Sequence, residues 1–320
     1  MAMTRQERID LASRRLIRVL SSHHLATART LEQKISDAGP SPLRVDPHLL
    51  TEARNALQEA NVIRCLPRPN AHWYYLSDTP YSVVEQRLAE LEPIHQAIQA
   101  PDFLMRMGQS LEIAVFRALR QQPLLFFGHF PNLDQHADDQ LYSKEEPPTS
   151  VSGLSVPSGK RLDFLLVHPS AGLAGIEVKN IREWLYPNRA EPLDLLFKCC
   201  HLNAVPILIA RRIPFVTFRL LQPCGLIIHQ TYRQRYPSAD CELAAKARHK
   251  RLLGYHDLAL GNDPDERLLR FLRVNLPAIL PTARTRFERS RELLADYANA
   301  RINYAQFASE VARRFAVQLE

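Results

Sequence analysis

Residues 161–210 carry the pattern that most restricts how this chain can fold. The run RLDFLLV (161–167) is rich in β-favouring residues, HPSAG (168–172) is a turn, and GIEVK (175–179) reads as a second strand. Residues 193–204 follow with helical spacing, and PILIA (206–210) reads as a third strand. A hairpin, a helix and a further strand predict an α/β fold, a sheet flanked by helices. Residues 215–218 and 225–228 are expected to add two strands, and from about 241 the chain turns helical and basic to its end. Upstream, residues 102–121 predict a helix with Met107, Leu111, Val115 and Leu119 on its apolar side. Residues 124–127 suit a short strand, and the polar, Pro/Gly/Ser-rich stretch 131–160 is expected as a long loop or insertion.

The first hundred residues follow another pattern. Ile9, Leu11, Leu16, Ile17 and Leu20 mark one face of a helix over 5–21. A second helix is expected from Thr27 or Thr30 to Ser36, broken by DAGPSP (37–42). A third starts after Asp46, an N-cap followed by Pro47 at the first helical position. Two β-rich runs, 62–66 and 73–76, enclose a Pro/Asn turn and predict a hairpin. Three helices and then a hairpin resemble a winged helix-turn-helix over residues 1–78. The resemblance implies that helix 47–61 enters a major groove. That helix also shows Glu52 and Glu59 beside Arg54, which suits a protein partner. Residues 79–101 are expected to connect the two halves through a helix interrupted near Pro93.

Composition excludes several classes. Ten glycines against 23 prolines rule out collagen-like and glycine-repeat architectures. No run of 18 or more apolar residues exists, so no membrane partner is expected. The charged start MAMTRQERIDLASRR is not expected to be a signal peptide. The five cysteines (Cys65, Cys199, Cys200, Cys224, Cys241) are odd in number and form no CxxC, so free, mostly buried thiols and a cytoplasmic location are expected. The net charge is +7, unevenly spread. Residues 1–100 hold 12 basic and 11 acidic side chains, whereas 210–251 hold nine basic and two acidic. Arg211, Arg212, Arg233, Arg235, Arg248 and Lys250 are therefore the candidate contacts to a phosphate backbone.

The chemistry-bearing residues lie on the first hairpin. Side chains alternate along a strand, so Glu177 and Lys179 share one face while Ile176 and Val178 point into a core. A short turn pairs this strand with 161–167, which brings Asp163 near Glu177. Two carboxylates suit Mg²⁺, a hard cation that keeps several waters, and a neighbouring lysine can orient or deprotonate an attacking water. The other ExK, Glu32-Gln33-Lys34, lies on an expected helix, where i and i+2 diverge. Asp134, His136, Asp138 and Asp139 have no regular spacing and read as a solvated acidic loop, and His23, His24 and His201 as packed or capping side chains. Trp73, Tyr74 and Tyr75 either stack on bases or fill a core. No GxGxxG, Walker loop, GxSxG or HExxH occurs.

Asp163 and Glu177-Val178-Lys179 resemble the PD-(D/E)xK nuclease superfamily over roughly residues 102–230. The proline that the family places before its aspartate is Leu162 here. The resemblance implies a restriction-endonuclease-like core over 102–240, preceded by the winged helix and followed by a basic helical region over 241–320. It implies Mg²⁺-dependent (or Mn²⁺-dependent) hydrolysis of DNA phosphodiester bonds. Asp163, Glu177 and the Val178 carbonyl would hold the metal, and Lys179 would position water and offset phosphate charge. Glu112, on the preceding helix, would hold a second metal or a metal-bound water. Lys198, on the following helix, would contact the phosphate or support the site. The residues leave open a non-catalytic DNA-binding regulator and an RNase, and, as further partners, a second copy of the chain or a protein engaged by the winged helix.

Overall fold

The computed structural model describes residues 3–37, 43–135 and 138–315. The helix break expected over 37–42 thus lies, apart from Asp37, outside the described residues. The protein is mixed α/β, with 52% helix and 17% strand. It divides into two compact units, residues 1–104 with 240–258, and residues 105–239 with 259–320.

The first unit begins with α1 (Arg5–His23), β1 (Ala26–Thr27), α2 (Ala28–Ile35) and α3 (Pro47–Glu59). It continues through β2 (Ile63–Arg68), β3 (Ala71–Leu76) and α4 (Tyr81–Gln99). Thr4 and Glu7 form a capping box that starts α1, and Asp46-Pro47 starts α3. The strands make an antiparallel sheet in the order β1-β3-β2. Leu16, Leu20, Leu31, Leu49, Leu50 and Ile63 close the core between helices and sheet. Trp73 and Tyr74 are buried, with Arg54 over the Tyr74 ring, so these two rings fill the core and are not a surface for stacking bases. The expected interruption at Pro93 is absent: α4 runs through it. Proline removes one backbone hydrogen bond, but Leu88, Leu91, Ile94, His95 and Ile98 all bury along the helix, and that burial outweighs the loss.

The second unit is built on a five-stranded sheet ordered β10-β9-β8-β7-β4. Its elements are α5 (Pro101–Leu119), which starts at the boundary, then β4 (Leu125–Phe127), the small hairpin β5 (Ser150–Val151) and β6 (Leu154–Ser155), β7 (Phe164–His168) and β8 (Gly172–Lys179). They are followed by α6 (Ala190–Leu202), β9 (Val205–Ala210), α7 (Phe215–Leu221), β10 (Ile227–Gln230) and β11 (Gln234–Tyr236). β8, β9 and β10 run parallel, β7 pairs antiparallel with β8, and β4 pairs antiparallel with β7. Next come α8 (Cys241–Arg248), which groups with the first unit, then β12 (Leu258–Leu260), α9 (Glu266–Arg270), α10 (Leu276–Ala298) and α11 (Tyr304–Phe315).

Strand alternation divides the core of the second unit in two. Phe164, Leu166, Ile176, Val178, Ile207 and Ile209 face α5 and the start of α10. Leu165, Leu208 and Ile228 face α6, α7 and α11. Residues 215–218 are helical, contrary to the expected strand, despite their β-favouring composition. Pro214 stands at the N-cap, and Thr217, Leu220 and Leu221 bury at helical spacing while Phe215 is left 72% exposed. Packing that extends beyond the four-residue window overrides local propensity here.

Two glycines mark close approaches under the first hairpin. Gly128 has φ +100, and a Cβ there would lie 2.6 Å from the Asp163 carbonyl oxygen. A Cβ at Gly175 would lie 2.6 Å from Leu162 Cδ1 and 2.8 Å from Cys199 Sγ. Leu162 therefore fills the space that the missing side chain leaves. We predict that Gly175→Ala destabilises the protein by about 1–3 kcal/mol through overpacking. In combination with Leu162→Ala, part of that cost should disappear. Urea unfolding of the two single variants and the double variant measures the coupling, and strict additivity would contradict the assigned contact.

Candidate active site

Asp163 stands immediately before β7, opposite Glu177, and its backbone N–H donates to the Ile176 carbonyl at 3.1 Å. Its carboxylate accepts the Val178 N–H at 2.7 Å, which fixes Oδ2 against the neighbouring strand. Glu177 lies on the α6 face of β8 and is 4% exposed. Its two oxygens are held separately: Lys179 Nζ donates to Oε1 at 2.6 Å and Lys198 Nζ to Oε2 at 2.6 Å. Lys198 comes from α6 and also donates to Asp194 at 2.7 Å and to the Arg161 carbonyl at 2.9 Å. With three acceptors and a buried side chain, Lys198 supports Glu177 and has no donor left for a phosphate.

Glu112 reaches the same region from α5, on the opposite side of the sheet. It meets Asp163 through a residue that the sequence pattern did not reveal. Lys144 Nζ lies 2.7 Å from Glu112, 3.6 Å from Asp163 and 3.8 Å from Glu146. Lys144 belongs to the 131–160 stretch, whose polar composition marks a loop and nothing more. That stretch is pinned at its middle. Tyr142 N–H donates to Gln109 Oε1 and Gln109 Nε2 donates to the Tyr142 carbonyl, both at 2.9 Å. His129 and Glu145 exchange backbone bonds of 2.9 and 2.8 Å.

The charges respond to this crowding. Burial, reinforced by the Asp163 charge, pushes the Glu112 carboxyl up to about 7 and raises Glu177 as well. For Lys179, burial alone disfavours the ammonium, but the Glu177 and Asp163 carboxylates outweigh it and hold the pKa above the ordinary lysine value. Lys144 and Lys198 are raised for the same reason, by Glu112 and Asp163 and by Glu177 and Asp194. Lys179 therefore remains an ammonium at neutral pH. An ammonium so held can orient a water and offset negative charge.

The residues expected to grip a phosphate backbone are dispersed. Arg211 and Arg235 are corrections to that expectation. Arg211 is 2% exposed and donates to the Arg182 carbonyl. Arg235 is 6% exposed, donates to the Gly261 carbonyl at 3.3 Å and lies 3.6 Å from Asp265. Arg211 directly follows β9 and Arg235 lies within β11, both in the protein interior, where a guanidinium satisfies a buried carbonyl. Arg233 is exposed, and Arg212 is half-buried beside the Tyr232 ring. Arg248 and Lys250 are exposed but belong to the first unit, so the basic run 210–251 is not one continuous surface of the second.

The side features behave as structural groups. Asp138 is buried, accepting the Ser238 N–H and the Asn262 amide, while His136 lies outside the described residues. His24 caps α1 in a left-handed conformation, and His201 bonds the Phe197 carbonyl. Cys199, Cys200 and Cys224 are buried, while Cys241 is exposed. No described helix is long and apolar enough to cross a membrane. Among the described residues no group of three or more His, Cys, Asp or Glu side chains surrounds a common point as a metal site. Asp163 and Glu177 stand opposite one another where β7 and β8 pair, and two carboxylates are a donor set that Mg²⁺ takes when it keeps most of its waters. Compared with known proteins, the chain has no significant match to a family model, a curated protein or a solved structure.

The position of Glu112 predicts a pH signature. Its carboxyl is raised in the folded state, so the folded protein holds a proton that the unfolded chain releases at lower pH. This contribution is full below the ordinary carboxyl range and is lost as pH rises through about 7. Glu112→Gln, which cannot ionise, should gain stability on the wild type between about pH 5 and pH 8, by up to about 3 kcal/mol. Urea unfolding of both proteins at the two pH values measures this, and a difference that stays flat with pH would contradict it.

Proposed function

We propose that this chain is a metal-dependent nuclease of the PD-(D/E)xK type that hydrolyses DNA phosphodiester bonds. The observation that supports it best is the meeting of Asp163, Glu177 and Lys179 at one end of the β7–β8 hairpin, with Glu112 joined to Asp163 through a shared ammonium. Asp163, Glu177 and the Val178 carbonyl would hold a divalent ion such as Mg²⁺. When bound, that ion supplies a Lewis acid for a phosphoryl oxygen and lowers the pKa of a coordinated water. The chain's own residues do the rest. The Val178 N–H and Lys198 hold the two carboxylates in place, and Lys179, charged at neutral pH, orients the water and offsets charge on the phosphate.

The first unit supports a winged-helix reading through its order of helices and its three-stranded antiparallel sheet with a terminal hairpin. On α3, Glu52 pairs with Arg5 at 2.6 Å and Arg54 lies over Tyr74, so this helix offers little positive charge. Its role in this reading is site choice or a partner contact, with the non-specific grip coming from elsewhere.

The test is cleavage of supercoiled plasmid with Mg²⁺ or Mn²⁺, with RNA as the competing substrate. Wild-type protein should cut DNA, and Glu177→Gln should lower the rate at least about 100-fold, because the carboxylate acts where charge develops. Binding to random duplex should stay within about threefold, since affinity rests on phosphate contacts made by other residues. Full activity in Glu177→Gln, or no metal-dependent cleavage by the wild type, overturns the assignment. Preferential cleavage of RNA would correct the substrate.

A further inference from the structure

We infer that Lys144 is a built-in cation of this site, standing between Glu112 and Asp163 where a second metal ion would have to bind, so that the site takes one divalent ion and not two. The inference rests on the nuclease reading above and deepens it. Three observations carry it.

The first is distance. The Lys144 ammonium is 2.7 Å from Glu112 and 3.6 Å from Asp163, and so bridges the two carboxylates that a second ion would need to share. In two-metal sites the ions lie about 3.5–4 Å apart. An ion placed between these carboxylates would meet the ammonium at contact range, with the exposed Glu146, 3.8 Å from that ammonium, as the further carboxylate beside it.

The second is that Lys144 is placed rather than draped over the site. Its chain is tied to α5 by the Tyr142–Gln109 pair on one side and to His129 by the Glu145 bridge on the other. Its side chain is 9% exposed, and its ammonium lies 5.7 Å from the centre of the Phe130 ring and 5.3 Å from that of Phe164. A surface lysine that merely visited the carboxylates would have neither the anchored backbone nor the enclosed side chain.

The third is charge. Glu112, Asp163 and Glu177 face Lys144, Lys179 and Lys198, each carboxylate lying within ion-pair distance of at least one of these ammonium groups. Glu177 is already shared by two lysines, so even a first ion between Glu177 and Asp163 must share a carboxylate with an ammonium. Removing Lys144 takes away the ion-pair partner that Glu112 and Asp163 share and opens room for a second ion.

The experiment is a Mn²⁺ titration of the full chain, read by electron paramagnetic resonance and by calorimetry, with Asp163→Asn as the blank for unrelated surface sites. Wild type is expected to bind one ion above the blank. Lys144→Ala should bind two, and Lys144→Arg, which keeps the charge, should bind one. If Lys144→Ala does not fold, Lys144→Gln carries the same expectation of two. Saturating Mn²⁺ should also raise the melting temperature of Lys144→Ala by more than it raises that of the wild type. Two ions in the wild type, or one in both neutral variants, overturns the role of Lys144 and leaves the nuclease reading standing. No ion in the wild type overturns both.

Discussion

The buried carboxylate of Glu177 is the constraint on which the rest of the second unit depends. An ionised carboxylate taken out of water is costly by several kcal/mol unless it is paired and hydrogen-bonded. Here each oxygen has its own ammonium, one from the same strand and one from α6. Lys198 is tied in turn to Asp194 and to the Arg161 carbonyl, so the solution to one buried charge also joins α6 to the start of β7. Losing a single partner would strand a charge in the interior, which is why the pairs are interlocked.

The same constraint shapes the chemistry. A carboxylate flanked by two lysines and a neighbouring aspartate cannot also be free, so the positions open to an ion are few. The carboxylates raise both lysines, Lys179 through Glu177 and Asp163 and Lys198 through Glu177 and Asp194, against the burial that disfavours their charge. Burial and the Asp163 charge raise the carboxyls of both Glu112 and Glu177, Glu112 to about 7, although neither carries anything but the ordinary functional group. Environment, not residue type, assigns the roles.

Precision at the site comes from segments with no chemistry of their own. Gly128, in a conformation that favours glycine, lets β4 end against the Asp163 carbonyl. The Tyr142–Gln109 and His129–Glu145 pairs hold a stretch of polar loop so that one lysine enters a cluster assembled from other elements. Small anchors of this kind are worth little individually, yet together they fix where the Lys144 backbone stands.

Strand parity is local, and it was legible before any tertiary information. Period-two alternation puts Glu177 and Lys179 on one face and Ile176 and Val178 on the other, and a turn of a few residues brings Asp163 near Glu177. The same held for the first unit, where apolar spacing marks α1, the Asp46-Pro47 start marks α3 and a Pro/Asn turn marks the β2–β3 hairpin. What packs across long separations was not legible. Residues 215–218 became a helix because leucines beyond the window bury on one side, and Pro93 failed to break α4 because its neighbours share a buried face. Arg211 and Arg235 look like surface charge in a basic run, but carbonyls from distant residues surround them. Lys144 is the clearest case. Its partners lie 32 and 19 positions away, on a helix and at a strand start. A side chain's neighbours in sequence do not report an electrostatic environment that only the closed fold creates.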